Sequence, residues 1–220
     1  MSQEITIDLT NDIDDAYSFG TTHRTDRTFL ALASSSAIPI SGLRFPNVVI
    51  PFGATILHAY INLFVVGSSG VPNLYIAGEA SVDPVAPESG GVLFSREKTV
   101  AQVDWDPPAV LNTYTGNSPD IKDIIQEIID LEGWESGKDI LILVGAYAYT
   151  STYQIEDAQS GAGHYAKLII EYDEPEPELD LSSYPASKKV RTGYHAFLNQ
   201  ALKNQRAGLP VLNTPDGEQF

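Results

Sequence analysis

No cysteine occurs among the 220 residues. A disulfide framework, a thiolate nucleophile and a thiolate-held metal are all excluded by that one absence. Methionine is nearly as scarce, the single one being the first residue. Positive charge is also in short supply: 13 Lys and Arg stand against 29 Asp and Glu, a formal charge of −16. Nucleic-acid backbones and anionic membrane surfaces reward Lys/Arg patches, so neither is expected as the main partner. No apolar run approaches the ~20 residues that span a bilayer. The opening MSQEITIDLTNDIDD has no basic region followed by an apolar run, so no secretory leader is expected.

What is present is mostly strand signal. EITIDLT (Glu4–Thr10) alternates Ile5, Ile7 and Leu9 with polar neighbours, the pattern of a half-buried strand. RTFLALAS and LRFPNVVIP are further strand candidates. ATILHAYINLFVV (Ala54–Val66) reads as one long strand with Leu57, Ala59, Ile61, Leu63 and Val65 facing a core. PNLYIAGEA, KTVAQVDW, KDILILVGAYAY and HYAKLIIEYD follow, separated by turns such as GSSGVP and APESGG. Many short strands with polar turns predict an all-β chain, an antiparallel β-sandwich of jelly-roll type.

One segment breaks the pattern. In SPDIKDIIQEIIDLEG, Ser118 is a natural N-cap and Pro119 suits the first helical position. Ile121, Ile124, Ile125, Ile128 and Leu131 form one apolar stripe, and Gly133 stands where a left-handed cap would end a helix. The stripe has to be buried, so this helix is expected to close an open end of the sandwich.

The chain divides by composition. Residues 1–173 hold 23 acids and 8 bases, a net −15, against −1 for residues 174–220. Residues 174–185 open with alternating Pro and Glu and read as an extended acidic linker. Residues 186–220 read as a C-terminal arm with an amphipathic helix at about 187–206, whose stripe is Tyr194, Phe197, Leu198, Ala201 and Leu202. Lys188, Lys189, Arg191, Lys203 and Arg206 flank that stripe. A basic helix fits an acidic surface, and a neighbouring copy of residues 1–173 offers one, so assembly through the arm is expected.

The order of motifs carries a resemblance. GLRFPNVVIPFGATILHAYINLFV (Gly42–Val65), then AQVDW with Trp105, the helix DIKDIIQEII, Gly133–Leu143 and finally AKLIIEY (Ala166–Tyr172) are together similar to DNRLRE-type domains. The family's name-giving tail motif is absent. Such domains look like jelly-roll carbohydrate-binding modules and occur in secreted polysaccharide-degrading proteins and in phage virion proteins. The resemblance implies a β-sandwich that binds or assembles, and it does not imply a hydrolase.

Site candidates are few. His23, His58, His164 and His195 form no metalloprotease or other His-based motif. Tyr147, Tyr149 and Tyr153 lie close in sequence, the first two on one face of a strand, and rings so placed can stack on sugars. Asp12, Asp14 and Asp15, with Asp104 and Asp106, make two oxygen-rich loops. They are read as solvated turns, with a structural Ca²⁺ as the alternative and no other cofactor expected. The expectation is a non-enzymatic bacteriophage virion protein, a capsid decoration, head accessory or tail component, assembling with itself and with other virion proteins. The alternative is a module that binds host-surface or extracellular glycan.

Overall fold

The computed structural model describes residues 2–89, 91–148 and 151–175. The chain divides into two units, Met1–Pro175 and Glu176–Phe220. Apart from residues 174 and 175, the expected linker and arm, with Tyr194, Phe197, Leu198, Ala201 and Leu202, lie outside the described residues.

The first unit is an antiparallel β-sandwich with one α-helix. Its strands are β1 (Ser2–Asp8), β2 (Asp15–Phe19), β3 (Thr22–Arg24), β4 (Phe29–Ala33), β5 (Pro39–Val48), β6 (Thr55–Asn62) and β7 (Phe64–Ser68). Then come β8 (Leu74–Glu79), β9 (Lys98–Trp105), β10 (Thr113–Tyr114), α1 (Lys122–Ile129), β11 (Lys138–Ala146), β12 (Tyr153–Glu156) and β13 (Lys167–Asp173). A six-stranded sheet, β3-β2-β5-β11-β8-β9, shares one core with a three-stranded sheet, β1-β13-β6, and a four-stranded sheet, β10-β7-β12-β4.

Central strands are apolar on both faces because both faces are covered. On β11, Ile140, Ile142 and Val144 enter the main core, while Leu141 and Leu143 meet Ile40 and Leu93 on the outer face. Pro46 is tolerated within β5 because it and Asn47 together oppose Asp139 as a bulge. Asn47 takes the left-handed φ of +54° there, and its amide donates to the Asp139 carboxylate at 2.9 Å.

The long strand expected at Ala54–Val66 is two strands. Its residues pair with β13 up to Asn62 and with β12 and β10 from Phe64, so the chain changes sheets at the buried Leu63. Leu57 is an extra residue between the pairs Ile56–Tyr172 and His58–Glu171. That bulge buries Ile56 and leaves Leu57 half-buried, whereas Ala59, Ile61, Leu63 and Val65 face inward as alternation predicts.

The helix is shorter than its stripe suggests. Ser118 is not its N-cap: the hydroxyl accepts the Ile61 amide at 3.0 Å and donates to the Pro119 carbonyl at 2.8 Å. Asp120 accepts the Lys122 amide instead. Gly133 has the expected left-handed φ, +92°, but in the turn after the helix. Ile121, Ile124, Ile125, Ile128 and Ile129 are buried, and Leu131 only half-buried. The helix packs so closely on β8 that a Cβ on Gly78 would lie 2.6 Å from Ile128 Cδ1.

Its second task is hydrogen bonding. Residues 115–126 run along the outer edge of β6, where Thr115, Ser118, Asp120 and Gln126 accept the amides of Leu63, Ile61, Ala59 and Ile56. On the other side Glu127 accepts the Val100 and Ala101 amides of edge strand β9, one on each oxygen, both at 2.8 Å. The segment therefore covers the core and closes two sheet edges at once.

Candidate functional site

Three neighbouring strands bring the half-buried Tyr75 to the exposed Tyr147. The register sets Gly145 of β11 beside Tyr75 of β8, and Tyr75 beside Asp104 of β9. On the core side of the next row, Leu74 and Trp105 are buried. On the outer face Tyr75 is half-buried, and Gln102 and Asp104 are exposed. Gly145 is required by a close approach: a Cβ there would sit 2.4 Å from the Tyr75 ring. Tyr75 thus lies across the sheet over Gly145.

β11 ends at Ala146, and the chain bends so that Tyr147 stands against Tyr75, ring centroids 5.2 Å apart and tilted by 50°. The Tyr147 hydroxyl donates to Asp104 Oδ1 at 2.5 Å. Behind it Asn73 Nδ2 donates to Asp106 Oδ1 at 3.1 Å. The bond to Asp104, then burial, raises the Tyr147 phenol above its ordinary pKa, and burial raises that of Tyr75. Both rings are neutral at ordinary pH. The patch offers two phenol rings, two carboxylates and the carboxamides of Gln102 and Asn73, with no cation among these residues.

Of the three tyrosines expected to act together, one is removed from the surface. Tyr153 is fully buried, and its hydroxyl donates to the Pro108 carbonyl at 2.8 Å, so it is a core residue with a satisfied polar tip. Tyr147 remains, half exposed, and Tyr149 lies outside the described residues. Tyr75 stands beside Tyr147. Sequence alternation marks it as outward between Leu74 and Ile76, but its meeting with Tyr147 depends on strand order.

The acids read as solvated turns lie in two places, and two of them, Asp14 and Asp15, are buried rather than solvated. The strands β2 and β9, which carry Asp15 and Asp104, are four ladder steps apart in the six-stranded sheet, roughly 19 Å. Asp14 is buried and bonded by Arg44, whose Nε lies 2.6 Å from Asp14 Oδ1 and whose other arm reaches Asp139 at 3.1 Å. Asp12 is exposed in the turn before β2. Among the described residues no three His, Asp or Glu side chains converge to hold a metal ion. Asp15 instead faces Asp157, an acid not singled out from the sequence. The two carboxylates accept the successive amides of Ala158 and Gln159 at 3.0 and 2.7 Å.

One further cluster has catalytic-looking composition. Ser160 Oγ donates to one oxygen of Glu156, and His164 Nδ1 meets the other at 3.2 Å. The imidazole stacks on Phe64 with centroids 3.9 Å apart. Hydroxyl and imidazole thus bind separate oxygens of one carboxylate, which differs from a nucleophile hydrogen-bonded to its base. The arrangement ties the end of β12 to the connection that follows it.

Compared with known proteins, the chain matches no family model and no curated protein.

Proposed function

We propose that this chain is a non-enzymatic structural protein of a bacteriophage virion, a capsid decoration, head accessory or tail-associated component that assembles through its C-terminal segment. The observation that carries this reading is the division of charge. The sandwich-bearing residues 1–173 are −15, whereas Ala186–Pro210 hold five bases and no acid. The similarity of motif order to DNRLRE-type domains supplies the virion context. A rigid acidic module with the β6 and β9 edges closed by its own side chains suits a particle surface, where like charge keeps particles apart. Light scattering on the full chain and on a chain ending at Pro175 tests the assembly role. A fall in the number of copies per particle on truncation is the expected result, and an unchanged number overturns it.

The patch at Tyr75 and Tyr147 favours a second reading, attachment to glycan. Neutral phenol rings beside Asp104, Gln102 and Asn73 suit a neutral polyhydroxy ligand, with sugar C–H faces on the rings and hydroxyls donating to the carboxylates. Uronate-rich polymers would meet two carboxylates and no cation. A glycan array tests this reading. Binding to neutral glycans that weakens about tenfold on Tyr147→Ala supports it, and indifference to that change removes it.

A further inference from the structure

Edge by edge, the sandwich treats its strands unequally. The six-stranded sheet ends in β3, three residues long, and in β9, whose amides at Val100 and Ala101 are held by Glu127. The four-stranded sheet ends in β10, two residues long, and in β4, whose Ala31 carbonyl takes the Ser41 hydroxyl. The three-stranded sheet ends in β6, closed along its length, and in β1. Among the described residues β1 is the exception: seven residues, paired with β13 without a register shift, and carrying no Pro and no Lys. Short length, bulges, Pro and charge, Lys above all, are devices by which monomeric sheets blunt their edges, and of these β1 has only Glu4 and Asp8, the latter paired with Lys167.

We propose that β1 is a self-complementary docking edge on which a second copy of this chain lays its own β1, antiparallel, about a two-fold axis at Ile5. The backbone sets which groups face out. Leu9 N–H donates to Ala166 O at 2.9 Å, so odd residues turn their amides toward β13, and Glu4, Thr6 and Asp8 turn theirs to the opposite edge, which no other described strand pairs. Two β1 strands can therefore pair only with even residues opposite even ones.

Axes at Gln3 or Ile7 overlap only three residues of each strand, and among the longer overlaps charge selects the register. An axis at Glu4 puts Glu4 opposite Glu4 of the second copy, and an axis at Thr6 puts Glu4 opposite Asp8. Like charges directly opposite destabilise a pair. An axis at Ile5 avoids both: Glu4 meets Thr6, Ser2 meets Asp8, and Ile5 meets Ile5. The half-buried Ile5 and Ile7 gain cover on the inner face, and the two three-stranded sheets become continuous. The interface is isologous and closes on itself, so it yields a dimer rather than a filament. It does not depend on the C-terminal segment.

The test uses the full chain. Amide exchange at Glu4, Thr6 and Asp8 is read as a function of protein concentration, with sedimentation of Thr6→Glu and Thr6→Lys alongside. Thr6 is exposed, so both variants keep the fold. The expected result is protection that grows with concentration. Thr6→Glu creates two acid–acid pairs and weakens the dimer, and Thr6→Lys creates two opposite-charge pairs and tightens it, each by roughly two- to thirtyfold. Protection independent of concentration means that the chain covers its own edge and overturns the proposal. So does fast exchange at all concentrations, or a dimer equally indifferent to both substitutions.

Discussion

Asp15 and Asp157 are carboxyl groups that face each other with almost no water, 2% and 4% exposed. Asp15 Oδ1 is buried without a donor unless a proton lies between the two. Burial, then the charge of Asp157, pushes the Asp15 pKa up to about 9, with Asp14 adding a smaller repulsion, and burial raises Asp157 as well. Asp14 is itself bonded by Arg44, and Asp12 is a further negative charge acting on Asp157. The folded state therefore holds a proton that the unfolded chain, with an ordinary value of 3.8, releases. This stabilisation is complete below the unfolded pKa and is lost as pH rises through the folded one, with a slope of up to about 1.4 kcal/mol per pH unit. Asp120 has the opposite sign. Burial works against its ionisation, but the bond from His58 and the amides of Ala59 and Lys122 outweigh it, so its contribution is lost as pH falls. Asp15→Asn keeps an acceptor for Ala158 and needs no shared proton. It should flatten the fall in stability between about pH 5 and about pH 8, measured by urea unfolding. At the surface, Asp104→Asn should return the Tyr147 phenol toward its ordinary pKa, seen in an ultraviolet titration.

At the scale of the element, α1 and its lead-in decide the most. The apolar stripe at Ile121, Ile124, Ile125 and Ile128 is legible from 3.6-residue spacing alone, and all four are buried. The start of the helix was not legible, because Ser118 is a capping residue by type but its hydroxyl is taken by a β6 amide 57 residues away. The same holds for Gln126, which reads as a helix-surface residue yet accepts the Ile56 amide and donates to the Ala54 carbonyl. Gln126→Ala strands both groups at a sheet edge and should cost about 2–4 kcal/mol in urea unfolding. Ile128→Ala should cost about 2–5 kcal/mol by opening a cavity. Gly78→Ala forces a methyl into Ile128 and should cost about 1–3 kcal/mol. Replacing Val100, 92% exposed on β9, with Thr should change little.

For the whole molecule, the prediction is that two devices set association independently. Removing residues beyond Pro175 tests the C-terminal segment, and the charge at Thr6 tests β1. If both operate, the truncated chain falls to a dimer that Thr6→Glu then dissociates, which sedimentation of the double variant reads directly. Raised salt should weaken the contribution of the basic segment more than that of the strand edge, because screening acts on charge and leaves backbone pairing in place.

Composition and period by themselves marked residues 1–173 as an acidic, mostly β unit with one helix, since alternation and the isoleucine stripe are local properties of the chain. They also marked most of the strands, including β1, β8, β9, β11 and β13. Only the tertiary structure decided that Ala54–Val66 is cut at Leu63, that Tyr153 is core, that Tyr75 stands beside Tyr147, and that Asp15 faces Asp157. Each of these depends on which strands are neighbours and where a bulge shifts the register. Neighbour order and register are set by pairing partners tens of residues away, and no local pattern encodes them.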